Sequence, residues 1–247
     1  MVMIRCAFCG QHRKSYPEHF HPKWSRRLIP IRTDTRGIII ERGVATGKKM
    51  RGAVGTETLK EVCKPCNSIW MSQLQSKAKP FLEPLIVGDR IIITDEKASA
   101  ISQWAVMTSM CIDAIPDWKS FIPAHVRKEY SESQNIGSDW KIYLGRTNSV
   151  IDRGWRRDYL YDNNNILNGC IIVFLIGRIF TVSIYQPNLS FKRLINLSKI
   201  GIFQLYPSVG NKINISDTTL PDFIHVRSIV DMFAGKYPKI YDLPDLL

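Results

Sequence analysis

Residues 63–67 read Cys-Lys-Pro-Cys-Asn, and an earlier stretch, residues 6–9, reads Cys-Ala-Phe-Cys. Pairs of cysteines separated by two residues are typical of structural zinc sites, in which four thiolates surround the ion tetrahedrally. The sequence therefore predicts one Zn2+ ion bound by four sulfurs, those of Cys6, Cys9, Cys63 and Cys66. Such a site has no open coordination position, so the ion would hold the chain together and would not take part in catalysis.

The dipeptide Glu18-His19 lies between the two cysteine pairs, and Asn67 directly follows the last cysteine. A neutral imidazole can take a proton from an attacking water, because its ordinary pKa lies near neutral pH. Carboxylate and amide oxygens are ligands that Mg2+ or Mn2+ accepts. These residues predict a second, catalytic metal site with Glu18 and Asn67 as ligands and His19 as general base. The alternatives are an exposed Glu-His pair without a role and a helix N-cap at Asn67.

This combination of motifs resembles the HNH (His-Me finger) nucleases, in particular the zinc-stapled branch to which phage Holliday-junction resolvases belong. The resemblance covers residues 1–85 and implies a ββα-metal core. In that family an acidic residue before the histidine and the asparagine after the last cysteine bind the catalytic ion. The sequence departs from the family pattern at two positions. Glu18 stands where aspartate is usual, and Thr58 replaces the asparagine that steadies the histidine loop.

The expected order of elements in the first part of the chain fits such a core. Residues 37–42 predict a strand, residues 48–54 predict a second strand, and residues 66–79 predict a helix that ends at Pro80. Its apolar face would carry Ile69, Trp70, Leu74 and Ala78.

The remainder of the chain predicts a connector, two helices and several strands. The connector covers residues 80–95, and the helices cover residues 98–114 and 123–133. Residues 170–176 and 179–185 predict a hairpin around a two-residue turn, Gly177-Arg178. A further strand over 202–206 and a closing helix over 224–233 complete the expected elements.

The predicted fold class is therefore α+β. A small zinc-stapled ββα-metal nuclease domain over residues 1–85 would be followed by a mixed helix and antiparallel-sheet domain over residues 86–247. The second domain carries no motif that decides among target recognition, homodimer formation and sensing of a regulatory protein partner.

Positive charge is concentrated near the cysteine motif. Residues 1–80 contain 16 of the 34 Lys and Arg residues but only 5 of the 22 Asp and Glu residues, so this third carries +11 of the net charge of +12. Such a density is typical of a surface that binds phosphate backbones, and we expect DNA as partner, with RNA as the alternative. The plainer alternative is a solubilising surface. The candidate phosphate contacts are His21, Lys23, Arg26, Arg27, Lys48, Lys49 and Arg51. Trp24 and Trp70 are expected in the core.

The composition also indicates a cellular setting. The chain shows no signal-peptide pattern, and its longest apolar run, residues 170–176, is far shorter than the ~20 residues that cross a bilayer. We therefore expect a cytoplasmic protein without membrane contact, in a compartment that keeps thiols reduced. Cys111 and Cys170 lack a partner motif and are expected to be buried.

Together these features predict a metal-dependent endonuclease that hydrolyses DNA phosphodiester bonds, using structural Zn2+ and catalytic Mg2+ or Mn2+. One alternative is a non-catalytic zinc protein that binds nucleic acid. Another is a nuclease effector of antiviral defence or a toxin, controlled through residues 86–247.

Overall fold

A computed structural model describes residues 2–31, 38–41, 44–49, 53, 55–116, 119–161, 164, 166–187, 201–208, 210 and 213–214. Only the backbone is described for residues 38–41, 44–49, 148–152 and 214. Among these residues the chain combines helices with antiparallel strand pairs, which confirms the predicted α+β class at that level. Arg51 and the helix predicted over 224–233 lie outside the described residues.

The N-terminal part consists of short strand pairs. β1 (Met3–Arg5) pairs with β2 (His12–Lys14), and β3 (Glu18–His19) pairs with β6 (Thr58–Leu59). A 3-10 helix (Lys23–Arg27) lies after β3.

The expected ββ hairpin is formed by β4 (Ile38–Glu41) and β5 (Val44–Lys49). The prediction that the second strand begins at residue 48 is wrong. Glu41 already pairs with Val44, so the returning strand starts four residues earlier and ends at Lys49.

One long helical segment follows the second cysteine pair. It comprises α1 (Lys64–Cys66), a π-helical turn (Asn67–Met71) and α2 (Ser72–Val87). The prediction that this helix ends at Pro80 and continues as a connector is wrong, since Pro80 and Pro84 both lie inside α2. The free energy gained by burying the apolar face offsets the cost of the backbone hydrogen bonds that the prolines cannot make. That face includes Leu74, Ala78, Leu82 and Leu85.

Gly88 terminates α2 in the left-handed conformation, with φ of 100°. Its N–H donates to the carbonyls of Pro84 and Leu85, a common helix ending. Ile69 was expected on the buried face but is 58% exposed, because it belongs to the π-helical turn, which changes the angular spacing of side chains.

Among the described residues, the C-terminal part contains two further helices and a three-stranded sheet. The helices are α3 (Asp95–Asp113) and α4 (Ala124–Ser133), close to the predicted ranges. The sheet has the order β10-β8-β9, formed by β8 (Trp140–Tyr161), β9 (Leu167–Tyr185) and β10 (Ile202–Tyr206). A minor pair joins β7 (Ile92–Ile93) to β11 (Ile213–Asn214).

The hairpin predicted around Gly177-Arg178 is wrong. β9 runs continuously through these residues, and its partner in the hairpin is β8, with Tyr161 opposite Leu167 at the far end. Gly177 has φ of +57°, and a Cβ there would overlap the carbonyl oxygen of Ile86 and lie 2.6 Å from Cδ1 of Ile29. The glycine therefore allows a close approach of other segments to β9 and does not make a chain reversal.

A single hydrophobic cluster connects the cysteine segment, α2, α3 and the β8–β9 hairpin. Trp70, Cys111 and Cys170 are buried in it as expected, and Trp24 packs against it partly buried. The boundary predicted at residue 85 falls inside α2, and the division into two domains stays a prediction. Within the part of the chain that the structure describes, no helix is both long enough and apolar enough to cross a membrane.

Candidate metal centres and active site

The sulfurs of the two cysteine pairs form one cluster, with all four atoms within 4.8 Å of one another. The Sγ atoms of Cys6 and Cys66 are 3.8 Å apart, and those of Cys9 and Cys63 are 3.7 Å apart. A tetrahedral ion with bonds of ~2.3 Å to sulfur requires sulfur–sulfur distances of about 3.8 Å. The cluster can therefore hold a metal ion such as zinc.

Backbone hydrogen bonds hold the two cysteine segments together. Ala7 N–H donates to Glu61 O at 2.7 Å, and Tyr16 N–H donates to Val62 O at 2.7 Å. The contact between the Cys6 and Cys66 sulfurs lowers the pKa of Cys6 to about 4 and raises the pKa of Cys66. The thiolate is the form of cysteine that binds a metal, so a low pKa favours metal binding.

Glu18 is a buried carboxylate surrounded by amides. It is 5% exposed, and its oxygens accept hydrogen bonds from Asn67 Nδ2 at 2.6 Å and Gln75 Nε2 at 2.5 Å. Burial raises the pKa of Glu18 to about 7, although Gln75, the charge of Lys23 and Asn67 act in the opposite direction. A carboxylate that is this costly to ionise gains strongly from a cation placed beside it.

The predicted ligands Glu18 and Asn67 are thus in direct contact, and their donor set fits a divalent ion that prefers oxygen. Asn67 Nδ2 also donates to Pro17 O at 3.1 Å and lies 3.4 Å from Tyr16 O. Because an amide nitrogen does not bind a cation, the Asn67 amide would have to turn to present Oδ1 to the ion.

The π-helical turn explains why Gln75 faces the same carboxylate as Asn67. With about 3.6 residues per turn, residues seven apart share a face of an α-helix. The turn at Asn67–Met71 takes up one extra residue. Gln75, eight positions after Asn67, therefore points to the same side.

His19 is half-buried in β3, directly opposite Thr58. Burial lowers the pKa of His19, and the charges of Arg26 and Lys23 lower it further. Arg26 Nη2 lies 3.4 Å from His19 Nδ1, so Nδ1 carries the lone pair and Nε2 the proton. The imidazole is therefore neutral at neutral pH, as a general base must be.

The candidate phosphate contacts differ in their exposure and in their partners. Lys23 is exposed, Arg26 lies at His19, and exposed Arg27 forms an ion pair with Glu83. Lys48 and Lys49 lie in β5, where only the backbone is described.

The prediction of a surface position for His21 is wrong, since its side chain is 0% exposed. Its Nε2 donates to Leu175 O at 3.2 Å, and its ring lies 4.5 Å from that of Phe174. The sequence predicted His21 as a phosphate contact, but its side chain packs against the β8–β9 hairpin. His21 cannot contact a phosphate.

Two residues at the site escaped the sequence interpretation. Gln75 had a weak signal, its spacing from Asn67 along one helix. Arg153, which contacts the loop after His19, had none, because 128 positions separate it from Ser25. Comparison of the chain with protein-family models, with curated proteins and with solved structures finds no match.

Proposed function

We propose that this chain is a metal-dependent endonuclease that hydrolyses phosphodiester bonds in DNA, with RNA as the alternative substrate. The observation that carries the proposal is the meeting of Glu18 and Asn67 beside His19, next to the four-cysteine cluster. A zinc module that only binds nucleic acid has no need for a buried carboxylate, an amide and a neutral histidine in one place. The same residue types in the same order resemble the zinc-stapled HNH nucleases.

Glu18 and Asn67 would hold Mg2+ or Mn2+. When bound, such an ion supplies positive charge that stabilises the pentacoordinate phosphate and the leaving 3′ oxygen. Gln75 fixes one oxygen of Glu18 and so sets the orientation of the carboxylate. Zn2+ on the four cysteines would fix Asn67, which is the residue directly after Cys66.

His19 would take the proton of the attacking water on Nδ1. The water oxygen then bonds to phosphorus in line with the leaving 3′ oxygen, and the bond to that oxygen breaks. The 3′ oxygen takes up a proton from solvent and His19 releases its proton to solvent, so the products are a 5′-phosphate and a 3′-hydroxyl. Arg26 lies close enough to Nδ1 to turn toward an incoming phosphate, which would free the lone pair for the water.

The decisive experiment incubates supercoiled plasmid with the wild type and with His19→Ala, with and without Mg2+ or Mn2+. His125→Ala is the matched control, since His125 is an exposed histidine on α4. We expect cleavage by the wild type and by the control only when the metal is present, and none by His19→Ala.

Wild-type cleavage rates from His19→Ala under single-turnover conditions would contradict the mechanism. DNA binding without cleavage by any variant would favour the non-catalytic zinc protein instead. Cleavage that appears only after a protein or ligand is added would identify an effector that is silent until it is activated.

A further inference from the structure

The chain from His19 to Ile29, here called the histidine loop, rests on the middle of the β8–β9 hairpin. Three register pairs of this hairpin form the support: Arg153 with Ile176, Gly154 with Leu175, and Trp155 with Phe174. These residues belong to the part of the chain outside the cysteine motif, for which no sequence motif decided among the candidate roles.

The first half of the histidine loop packs into this support through side chains. The ring of Phe20 lies edge-on to Trp155, with centroids 5.8 Å apart. The neighbouring His21 is completely buried and donates to Leu175 O. Phe20 directly follows His19, so these contacts fix the backbone next to the proposed general base.

Arg153 holds the second half of the loop. Its side chain is buried, and it donates to Ser25 Oγ at 2.9 Å, to Ser25 O at 3.1 Å and to Ile29 O. Arg26, whose guanidinium contacts His19, directly follows Ser25. A planar guanidinium can satisfy several carbonyl and hydroxyl acceptors at fixed angles, which a flexible ammonium cannot.

We propose that Arg153 is a positioning residue for His19 and Arg26, and that the β8–β9 hairpin is an integral part of the active site. This inference rests on the proposed function, in which His19 is the base. Arg153 does not touch the reacting atoms and acts through the backbone of the histidine loop. A displacement of about 1 Å in a catalytic group can cost about 100-fold in rate.

The test uses the full chain with Arg153→Gln and Arg153→Lys, and Arg146→Gln as matched control. Arg146 lies on the same strand and likewise donates to a backbone carbonyl, but its acceptor is Gly88 at the end of α2, 2.5 Å away. Hydrogen exchange of the Ser25, Leu28 and Ile29 amides reports on the loop without requiring any activity, because all three bond within it. Steady-state cleavage rates over a range of plasmid concentrations then give kcat and KM separately.

We expect both Arg153 variants to exchange these amides at least about tenfold faster and to lose kcat about 10- to 100-fold, with KM little changed. Arg146→Gln should match the wild type in both. Arg153→Lys, which keeps the charge, covers the case in which Arg153→Gln does not fold.

Unchanged exchange in a folded Arg153 variant, or faster exchange with wild-type kcat, would overturn the inference. If the wild type cleaves no nucleic acid, the proposed function fails, and the exchange rates alone decide whether Arg153 holds the loop.

Discussion

Glu18 combines two properties that make its protonation compete with metal binding. Its pKa is raised to about 7 by burial, and its carboxylate contacts Asn67, the other proposed ligand. The ion can bind only after the proton has left. At limiting Mg2+ we therefore expect cleavage to rise with pH through about 7, and the acidic limb to move to lower pH as Mg2+ increases. An acidic limb that does not respond to the Mg2+ concentration would exclude Glu18 as a ligand.

Substitutions of the two proposed metal ligands should lower metal affinity more than they lower the rate of the chemical step. Glu18→Ala and Asn67→Ala should need more metal for half-maximal cleavage and be partly rescued by excess Mn2+, which should not rescue His19→Ala. Glu18→Asp should retain activity. Metal titrations of the four variants in one cleavage assay test this, and an inactive Glu18→Asp would count against the ligand role.

His21 should make the fold sensitive to acid. Burial, together with the charge of Arg153, lowers the pKa of His21 to about 3. Below about pH 6.5, His21 therefore binds a proton in the unfolded chain but stays unprotonated in the folded chain. Stability is lost as pH falls, by up to about 1.4 kcal/mol per pH unit.

His21→Gln keeps a donor for Leu175 O but does not titrate. Its melting temperature should fall less than that of the wild type between about pH 7 and about pH 5. His125→Gln, at an exposed position, is the control and should behave as the wild type. An equal fall in all three proteins would show that another group controls acid unfolding.

At the scale of single residues, the sequence identified those whose chemistry is encoded locally. Glu18, His19, Asn67 and the cysteines stand in a motif with characteristic spacing. The structure places Glu18 against Asn67 and gathers the four sulfurs into one cluster, while the catalytic roles stay predictions. His21 and Arg153 acquire their surroundings from β9 and from the histidine loop, more than 100 positions away in the chain. No local pattern carries such information.

At the scale of elements, Gly177 occupies a position in β9 that requires glycine. It combines a positive φ with a close approach of Ile86 and Ile29, so a side chain there meets both strain and overlap. We expect Gly177→Ala to lower the free energy of unfolding by about 2–4 kcal/mol. Gly154→Ala is a matched control on the same hairpin, because its Cβ would meet only Leu175 Cδ1 at 3.9 Å, and it should change stability by less than about 1 kcal/mol. Urea unfolding of the two variants tests this, and equal stabilities would contradict it.

Helix and strand identity was predicted better than the points where elements end. Proline and glycine predict local stops at residues 80 and 177, but both residues lie inside longer elements. Tertiary packing decided these cases, because the apolar face of α2 and the support under the histidine loop need the longer elements. α3 and β10 were predicted closely, since hydrophobic periodicity and the flanking residues agree there.

For the whole molecule, zinc binding should be inseparable from folding. The four cysteines join segments more than 50 residues apart, and three of them belong to the common hydrophobic cluster with α2 and α3. Cys63→Ser should lose the ion and expose the N-terminal part, while Cys111→Ser, a buried cysteine outside the site, should keep it. Elemental analysis and limited proteolysis measure the two effects. A Cys63→Ser protein that resists protease like the wild type would contradict the prediction.

Charge asymmetry should govern DNA binding. Lys23→Glu places a negative charge at an exposed position of the 3-10 helix that follows His19. It should weaken DNA binding regardless of the DNA sequence and reduce the slope of log K against log salt concentration by about 1. Lys128→Glu, at an exposed position of α4, should have little effect. Binding measured over a range of salt concentrations tests this, and equal effects of the two reversals would mean that DNA does not approach at His19.

The contacts of His21 and Arg153 also bear on biosynthesis. Residues 6–67, which hold every proposed metal ligand, are translated long before Leu175, whose carbonyl receives His21. While the chain is still on the ribosome, the residues proposed as metal ligands are already available, but the histidine loop lacks its contacts with β9. The proposed general base would therefore lack the support of the β8–β9 hairpin, and the proposed cleavage activity would stay low, until β9 had emerged from the ribosome.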